Sequence, residues 1–293
     1  MTEPTEEEVR GKSLPPFERI SGAYIDHENK TFVIVTKDLL INQLQRDCPE
    51  IALSFDAALG PSLGQVSEIL AEITTMSVRH ILGQDLSDQS RSATCARLLN
   101  TALSTFVGCI HLARGGFRLQ YMTLVRSVVE TICTALHLMV DPKALEEFHA
   151  GKLRSTRSIG AANKILPGFG RLWGDLSNQF VHITTMHSDL NPVRQYKGQD
   201  DDLITILMNM KIVVWLMLVT AELVFVEELE HPRHWKIVSR RTDGNEIAYD
   251  PSNEVRAFDA TFFGEVLDKP RLSDVHAAFG DMSCMITFFI IHD

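Results

Sequence analysis

The sequence predicts a mainly α protein: an antiparallel helical bundle with two small β-hairpins, one in the N-terminal part and one in the C-terminal part. Three observations carry this. Apolar residues recur three and four positions apart through most of residues 61–231, the spacing of one helical face. Two pairs of β-prone runs flank short polar turns. The composition is that of an ordinary folded chain, with 293 residues, 45% hydrophobic and 23% charged. Such a chain can bury a sizeable core, which a mainly disordered sequence cannot. Seventeen Gly and 11 Pro exclude a collagen-like or linker-dominated architecture.

The elements follow in order. Residues 1–21 are polar, acidic and Pro-containing, and read as a flexible tail. Its MTEPTEEEVRGK start is acidic and lacks the basic start and following apolar run of a secretory signal. Residues 22–60 read as a hairpin and short helices. Ala23–Ile25 and Thr31–Val35 flank the polar Asp26–Lys30 turn, and residues 37–58 form one or two short helices. Pro61 or Ser62 opens a helix to about Leu82, ended by Gly83. A second helix starts near Asp88 and carries Ala93, Ala96, Leu99, Leu103, Phe106 and Ile110 on one face; Gly115-Gly116 ends it. A third covers 117–140. A fourth covers 142–165, with Pro142 in its first turn and a break near Gly151. A fifth covers 169–186, and Asn191-Pro192 marks a loop.

Residues 203–230 form a long apolar helix stopped by His231-Pro232. Its stretch LITILMNMKIVVWLMLVTAELVFV is long enough to span a bilayer, but Asn209, Lys211 and Glu222 interrupt it. One charge near mid-bilayer costs roughly 2.5–3.5 kcal/mol on insertion scales. A helix at the centre of a bundle explains the pattern without that cost, so no membrane span is expected. Residues 232–293 hold the second hairpin, 235–238 with 247–249 around Asp243-Gly244, then helices at 253–267 and 273–291. The bundle core is assigned to 61–231.

Five cysteines are widely spaced, with no Cys-x-x-Cys and no zinc ladder. Three of them lie inside apolar helical patterns and read as small core hydrophobes, in a reducing, cytoplasmic compartment. No phosphate loop or Gly-x-Ser-x-Gly elbow occurs, and neither cofactor nor metal is expected. His182 and His187 stand five apart rather than the three or four of metal ligands on one helix.

Two polar stripes hold the candidate chemistry. In the third helix Arg126, Glu130 and His137 fall within about 40° of one another, with Thr123, Ser127 and Thr134 beside them. In the fifth, Arg171, Asp175, Asn178 and His182 share a face opposite Trp173, Leu176, Phe180 and Ile183. One reading makes both stripes solvated outer faces. The other faces them across a cleft, where a His could serve as general base and an Arg could hold an anion.

The residues around these stripes carry a family resemblance. Leu124-Val125-Arg126-Ser127-Val128-Val129-Glu130, followed by Leu176-Ser177-Asn178-Gln179-Phe180-Val181-His182, resembles a group of bacterial all-helical proteins of unassigned activity. Those have an Arg-Ser-x-x-Glu helix and a later Leu-Ser-x-x-x-His helix. The group is similar in turn to HEPN domains, and the resemblance covers roughly residues 90–230. It implies a helical bundle, often dimeric. Many HEPN proteins are metal-independent RNases of toxin–antitoxin or antiviral defence systems, with an Arg and a His separated by four to six residues. Carried over, the resemblance implies Arg126, Glu130 and His182 as catalytic residues. Here, however, Arg126 to His137 and Arg171 to His182 each have ten intervening residues. Only Arg271 to His276 has the literal spacing, and matches of that kind arise by chance. The departure favours a non-catalytic binding or assembly module over a divergent RNase.

The charge is uneven. The net charge is −10, yet residues 79–171 carry 12 Lys/Arg against six acids, which leaves −16 elsewhere. Acidic flanks could cover this basic middle. Exposed, it would attract RNA or another anionic partner, with Arg171, Asp175, Asn178, Lys152, Arg154 and Arg157 as candidate binding residues. The other expected partner is a second copy, docked through apolar helix faces to form a homodimer.

Overall fold

A computed structural model describes residues 17–27, 31–82, 87–183, 185–188, 193–197, 201–241, 244–267 and 288–291. It is a helical bundle with two small antiparallel sheets, in agreement with the predicted class. The elements are β1 (Ile20–Asp26), β2 (Thr31–Thr36), α1 (Leu39–Asn42), α2 (Cys48–Val78), α3 (Arg91–Arg114), α4 (Arg118–Val140), α5 (Pro142–His149), α6 (Ser155–Ile165), α7 (Phe169–Leu176), α8 (Thr185–Ser188), α9 (Asp201–Val224), β3 (Trp235–Arg241), β4 (Gly244–Tyr249), α10 (Asn253–Leu267) and β5 (Phe288–Ile291). Two π-helical turns, Gln43–Asp47 and Ser177–Val181, join α1 to α2 and extend α7.

The core is built around α9. Every residue from Asn209 to Val226 is buried, because a helix apolar on all sides satisfies the hydrophobic effect only at the centre. It packs against α2, α3, α4 and α10, while α3 and α4 pair closely with each other. By length and composition, α3, α4 and α9 could each cross a membrane; the most apolar stretch of α9 is 78% buried within the protein.

Local chemistry explains the element ends. Ser90 Oγ accepts from Ala93 N at 3.4 Å and caps α3. Asp141 caps α5 through Lys143 N at 3.0 Å, with Pro142 next in line. The α3–α4 corner needs glycine at 116. Its φ is +85°, and a Cβ there would lie 2.9 Å from Val193 Cγ1.

Several boundaries differ from the sequence reading. The helix expected to open at 61 or 62 begins at Cys48 and runs through Pro61. Both Pro61 and Ala57 are exposed. The carbonyl that loses its partner therefore faces water, which lowers the usual cost of an internal proline. The fourth helix does break at Gly151, where φ is +66°. The fifth ends its α geometry at Leu176, and α9 ends at Val224, before His231-Pro232. The final helix is corrected at its end: Phe288–Ile291 is a strand paired with β4. The rest of that helix, the first tail residues, Arg271 and His276 lie outside the described residues. Among the described residues the hairpins form separate sheets, β1-β2 and β3-β4-β5.

Candidate functional site

Arg126 and Glu130 come together on α4. Arg126 Nη2 lies 2.8 Å from Glu130 Oε1, and both side chains are about three-quarters buried. The cover is Trp173 of α7. Its Nε1 donates to Glu130 Oε1 at 2.8 Å, and the Arg126 guanidinium sits 5.0 Å from its ring centroid. Thus α7 meets the α4 stripe with a residue of its expected apolar face. Arg171, Asp175 and Asn178 point to solvent, with Arg171 and Asp175 loosely paired at 3.9 Å.

His182 is exposed and makes no side-chain hydrogen bond or ion pair to Arg126 or Glu130. The cause is the π-helical turn Ser177–Val181. It widens the spiral, so an extrapolation at 3.6 residues per turn from Arg171 to His182 loses register. The turn still rests on α4, where Thr123 Oγ1 donates to the Phe180 carbonyl at 3.0 Å. The remaining member of the α4 stripe, His137, is buried beneath α6. Its Nδ1 faces Ser158 Oγ at 3.2 Å and its Nε2 lies 3.5 Å from Asp141. Burial pushes its pKa down against the pull of Asp141.

Part of the basic middle is paired with acids from elsewhere in the chain. Arg114 grips Asp56 at 2.6 Å, Arg118 meets Asp202 at 3.1 Å, and Arg79 meets Glu228 at 3.2 Å. Arg157 joins Asp141 and Glu147. Lys152 and Arg154 are exposed in the α5–α6 connection, with no ion pair among the described residues.

Sequence reasoning missed a buried centre where α9 meets the C-terminal unit. Glu222, 1% exposed, accepts from His234 N at 2.9 Å, His234 Nδ1 at 2.7 Å and Arg233 Nε at 3.0 Å. The other imidazole nitrogen lies 3.8 Å from Asp259, which accepts from Trp215 Nε1 at 3.1 Å. Burial opposes charge on His234, yet the two carboxylates outweigh it and raise its pKa. A second buried charge, Lys211, donates to the Phe262 carbonyl and lies over that ring at 5.0 Å. The signal was present in the sequence: a charge inside a fully apolar helix must find a partner. Glu222 and His234 are closed to solvent, Asp259 and Arg233 are partly exposed, and the two carboxylates address opposite ring nitrogens. Among the described residues no three His, Cys, Asp or Glu side chains are grouped to hold a metal ion.

The most unusual surface is apolar. Among the described residues, ten of the 15 large exposed hydrophobics lie between Tyr24 and Leu53. Leu40 is 69% exposed, Leu39 67% and Tyr24 65%. No residue of 18–50 with a described side chain is buried. This segment comprises the first hairpin and the helical turns that lead into α2. No family model matches the chain, and neither a curated protein nor a solved structure matches it.

Proposed function

We propose that this chain is a cytoplasmic, HEPN-like binding or assembly module of a bacterial cell, without catalytic activity. The observation that carries the reading is the apolar segment 20–53. Monomeric soluble proteins rarely expose so many neighbouring large apolar residues unless a partner covers them. The state of Arg126 and Glu130 supports the same reading. They are paired with each other and covered by Trp173, which leaves no free base beside an open anion site.

The second reading is a divergent metal-independent RNase of a toxin–antitoxin or antiviral system. One contact favours it: Thr123 holds the turn that precedes His182 against α4, one helical turn from Arg126. The test incubates purified protein with single-stranded and structured RNA in excess chelator. The module reading expects intact RNA. Cleavage that His182→Ala abolishes would establish the nuclease instead.

A further inference from the structure

We propose that His234 is a proton-operated tie for α10: its protonated ring holds α10 against the central helix α9, and loss of the proton frees α10 while β3 stays fastened to the core.

The tie is asymmetric because the two ring nitrogens face different elements. Nδ1 lies 2.7 Å from Glu222 Oε2 of α9, and the backbone N–H of His234 reaches the same oxygen at 2.9 Å. Nε2 faces α10. It lies 3.8 Å from Asp259 Oδ2 and is buried with no hydrogen-bond partner. A neutral imidazole carries a single N–H. The shorter contact takes it, because Glu222 acts as an acceptor toward the His234 backbone and Arg233 Nε as well. Nε2 then turns a lone pair toward the Asp259 carboxylate, one acceptor against another. In the imidazolium, Nε2 carries a proton and attracts that carboxylate. The contact with α9 is thus made in both states of the ring, and the attraction to α10 in one.

The other charged and titratable groups around the ring leave this balance in place. Arg233 pairs with Glu222 and with Glu72 of α2. Tyr249 of β4 stacks on the imidazole at 6.3 Å, and burial pushes its pKa up, so it does not titrate with the histidine. Asp250 lies 3.8 Å from Lys236, and both side chains are more than half exposed. Arg256 of α10 is exposed. Burial opposes charge on His234; Asp259 and then Glu222 overcome it and raise the pKa above 6.5. The tie is therefore complete below about pH 6.5 and is lost as pH rises through the raised value.

Helix α10 is built to move first. Of its described side chains only Val255 and Phe262 are buried, while Glu254, Arg256, Ala257, Phe258, Ala260 and Thr261 are exposed. An element with so little buried apolar contact opens at low free energy. Its polar links to α9 are Trp215 Nε1 to Asp259 Oδ1 at 3.1 Å, and Lys211 Nζ to the Phe262 carbonyl. Lys211 is fully buried, so opening returns its ammonium to water and favours the open state. The proton on His234 works against that release.

The experiment is hydrogen exchange of the full chain at about pH 6 and about pH 8.5, with protection corrected for the intrinsic exchange rate and followed in urea below the unfolding transition. Amides of 253–267 should lose protection at least about tenfold at the higher pH, the effect of one unit of pKa difference. Opening of one helix exposes little surface, so their exchange should depend weakly on urea, whereas amides of α3 and β3 should depend on it strongly. Asp259→Asn keeps an acceptor for Trp215 but removes the charge, and should abolish the pH dependence in α10. Protection of 253–267 that does not change with pH overturns the proposal. So does α10 exchange as urea-sensitive as that of α3, which would mean that α10 opens only when the whole chain unfolds. An Asp259→Asn variant that keeps the wild-type pH dependence overturns it as well.

Discussion

Nδ1 of His234 lies 2.7 Å from Oε2 of Glu222, and the side chains are only 1% and 2% exposed. Glu222 belongs to the central helix and His234 to the segment that leads into β3. The contact therefore fastens the C-terminal sheet to the core. Breaking a buried pair by removing one partner costs more than the pair contributes, because the remaining charge stays buried. Glu222→Ala should lower unfolding stability in urea by about 3–5 kcal/mol. The double variant Glu222→Leu, His234→Leu should recover part of that loss. Equal stability of Glu222→Ala and wild type would contradict the assignment.

Two histidines set opposite pH slopes. The folded pKa of His234 is raised above 6.5 despite burial, through Glu222 and Asp259. Its contribution is complete below about pH 6.5 and is lost as pH rises through the folded value. The folded pKa of His137 is lowered, first by burial and also by Arg157, against Asp141. Its contribution is present above about pH 6.5 and is lost as pH falls through the lowered value. Urea midpoints followed from about pH 5 to about pH 9 should show both slopes. His234→Gln should flatten the alkaline side and His137→Asn the acid side. A variant with the wild-type slope on its own side would refute that half.

Trp173 locks α7 onto α4. Trp173→Phe keeps a ring over Arg126 but removes the donor to Glu130, and should cost about 1 kcal/mol. Trp173→Ala also removes the packing and should cost about 3 kcal/mol or more. Chemical denaturation of both variants separates hydrogen bond from cover; equal losses would mean the indole N–H contributes nothing.

The corner at Gly116 admits no side chain. Gly116→Ala places a Cβ into Val193 Cγ1 at a φ of +85°, and should destabilise by at least about 1 kcal/mol. A thermal midpoint unchanged by this substitution would show that the corner yields.

Thiol labelling reads the core directly. Cys95, Cys109 and Cys133 are buried, and burial pushes the Cys95 and Cys109 thiols up to about 12. All three should resist an aromatic disulfide reagent until the chain unfolds, whereas half-buried Cys48 should react before them. Fast labelling of Cys95 in the native protein would contradict the packing of α3.

Much of the bundle was legible in local pattern. The stripe through Ala93, Leu99 and Phe106 located α3, and the Asp141-Pro142 signal located the start of α5 to the residue. Patterns failed where a local rule met an exception outside its own window. Pro61 reads as a helix start, yet it lies on an exposed face where its missing bond costs little. The Phe288–Ile291 strand reads as a helix end because its pairing with β4 is non-local. His182 joins the polar stripe of Arg171 only if the helix stays α, and the π turn breaks that condition.

The candidate site divides the same way. Sequence alone determined that α9 must be central, that Arg126 and Glu130 share a helix face, and that a basic middle lies between acidic flanks. Periodicity and charge counting are properties of the chain itself, so they survive without coordinates. Only tertiary structure decided that Trp173 covers Arg126, that Asp56, Asp202 and Glu228 pair with Arg114, Arg118 and Arg79 of the basic middle, and that His234 and Asp259 are brought to Glu222. Those contacts join residues far apart in the chain. Their energy comes from desolvation and from distances of a few ångströms, which depend on how the helices pack rather than on the order of residues within any one of them.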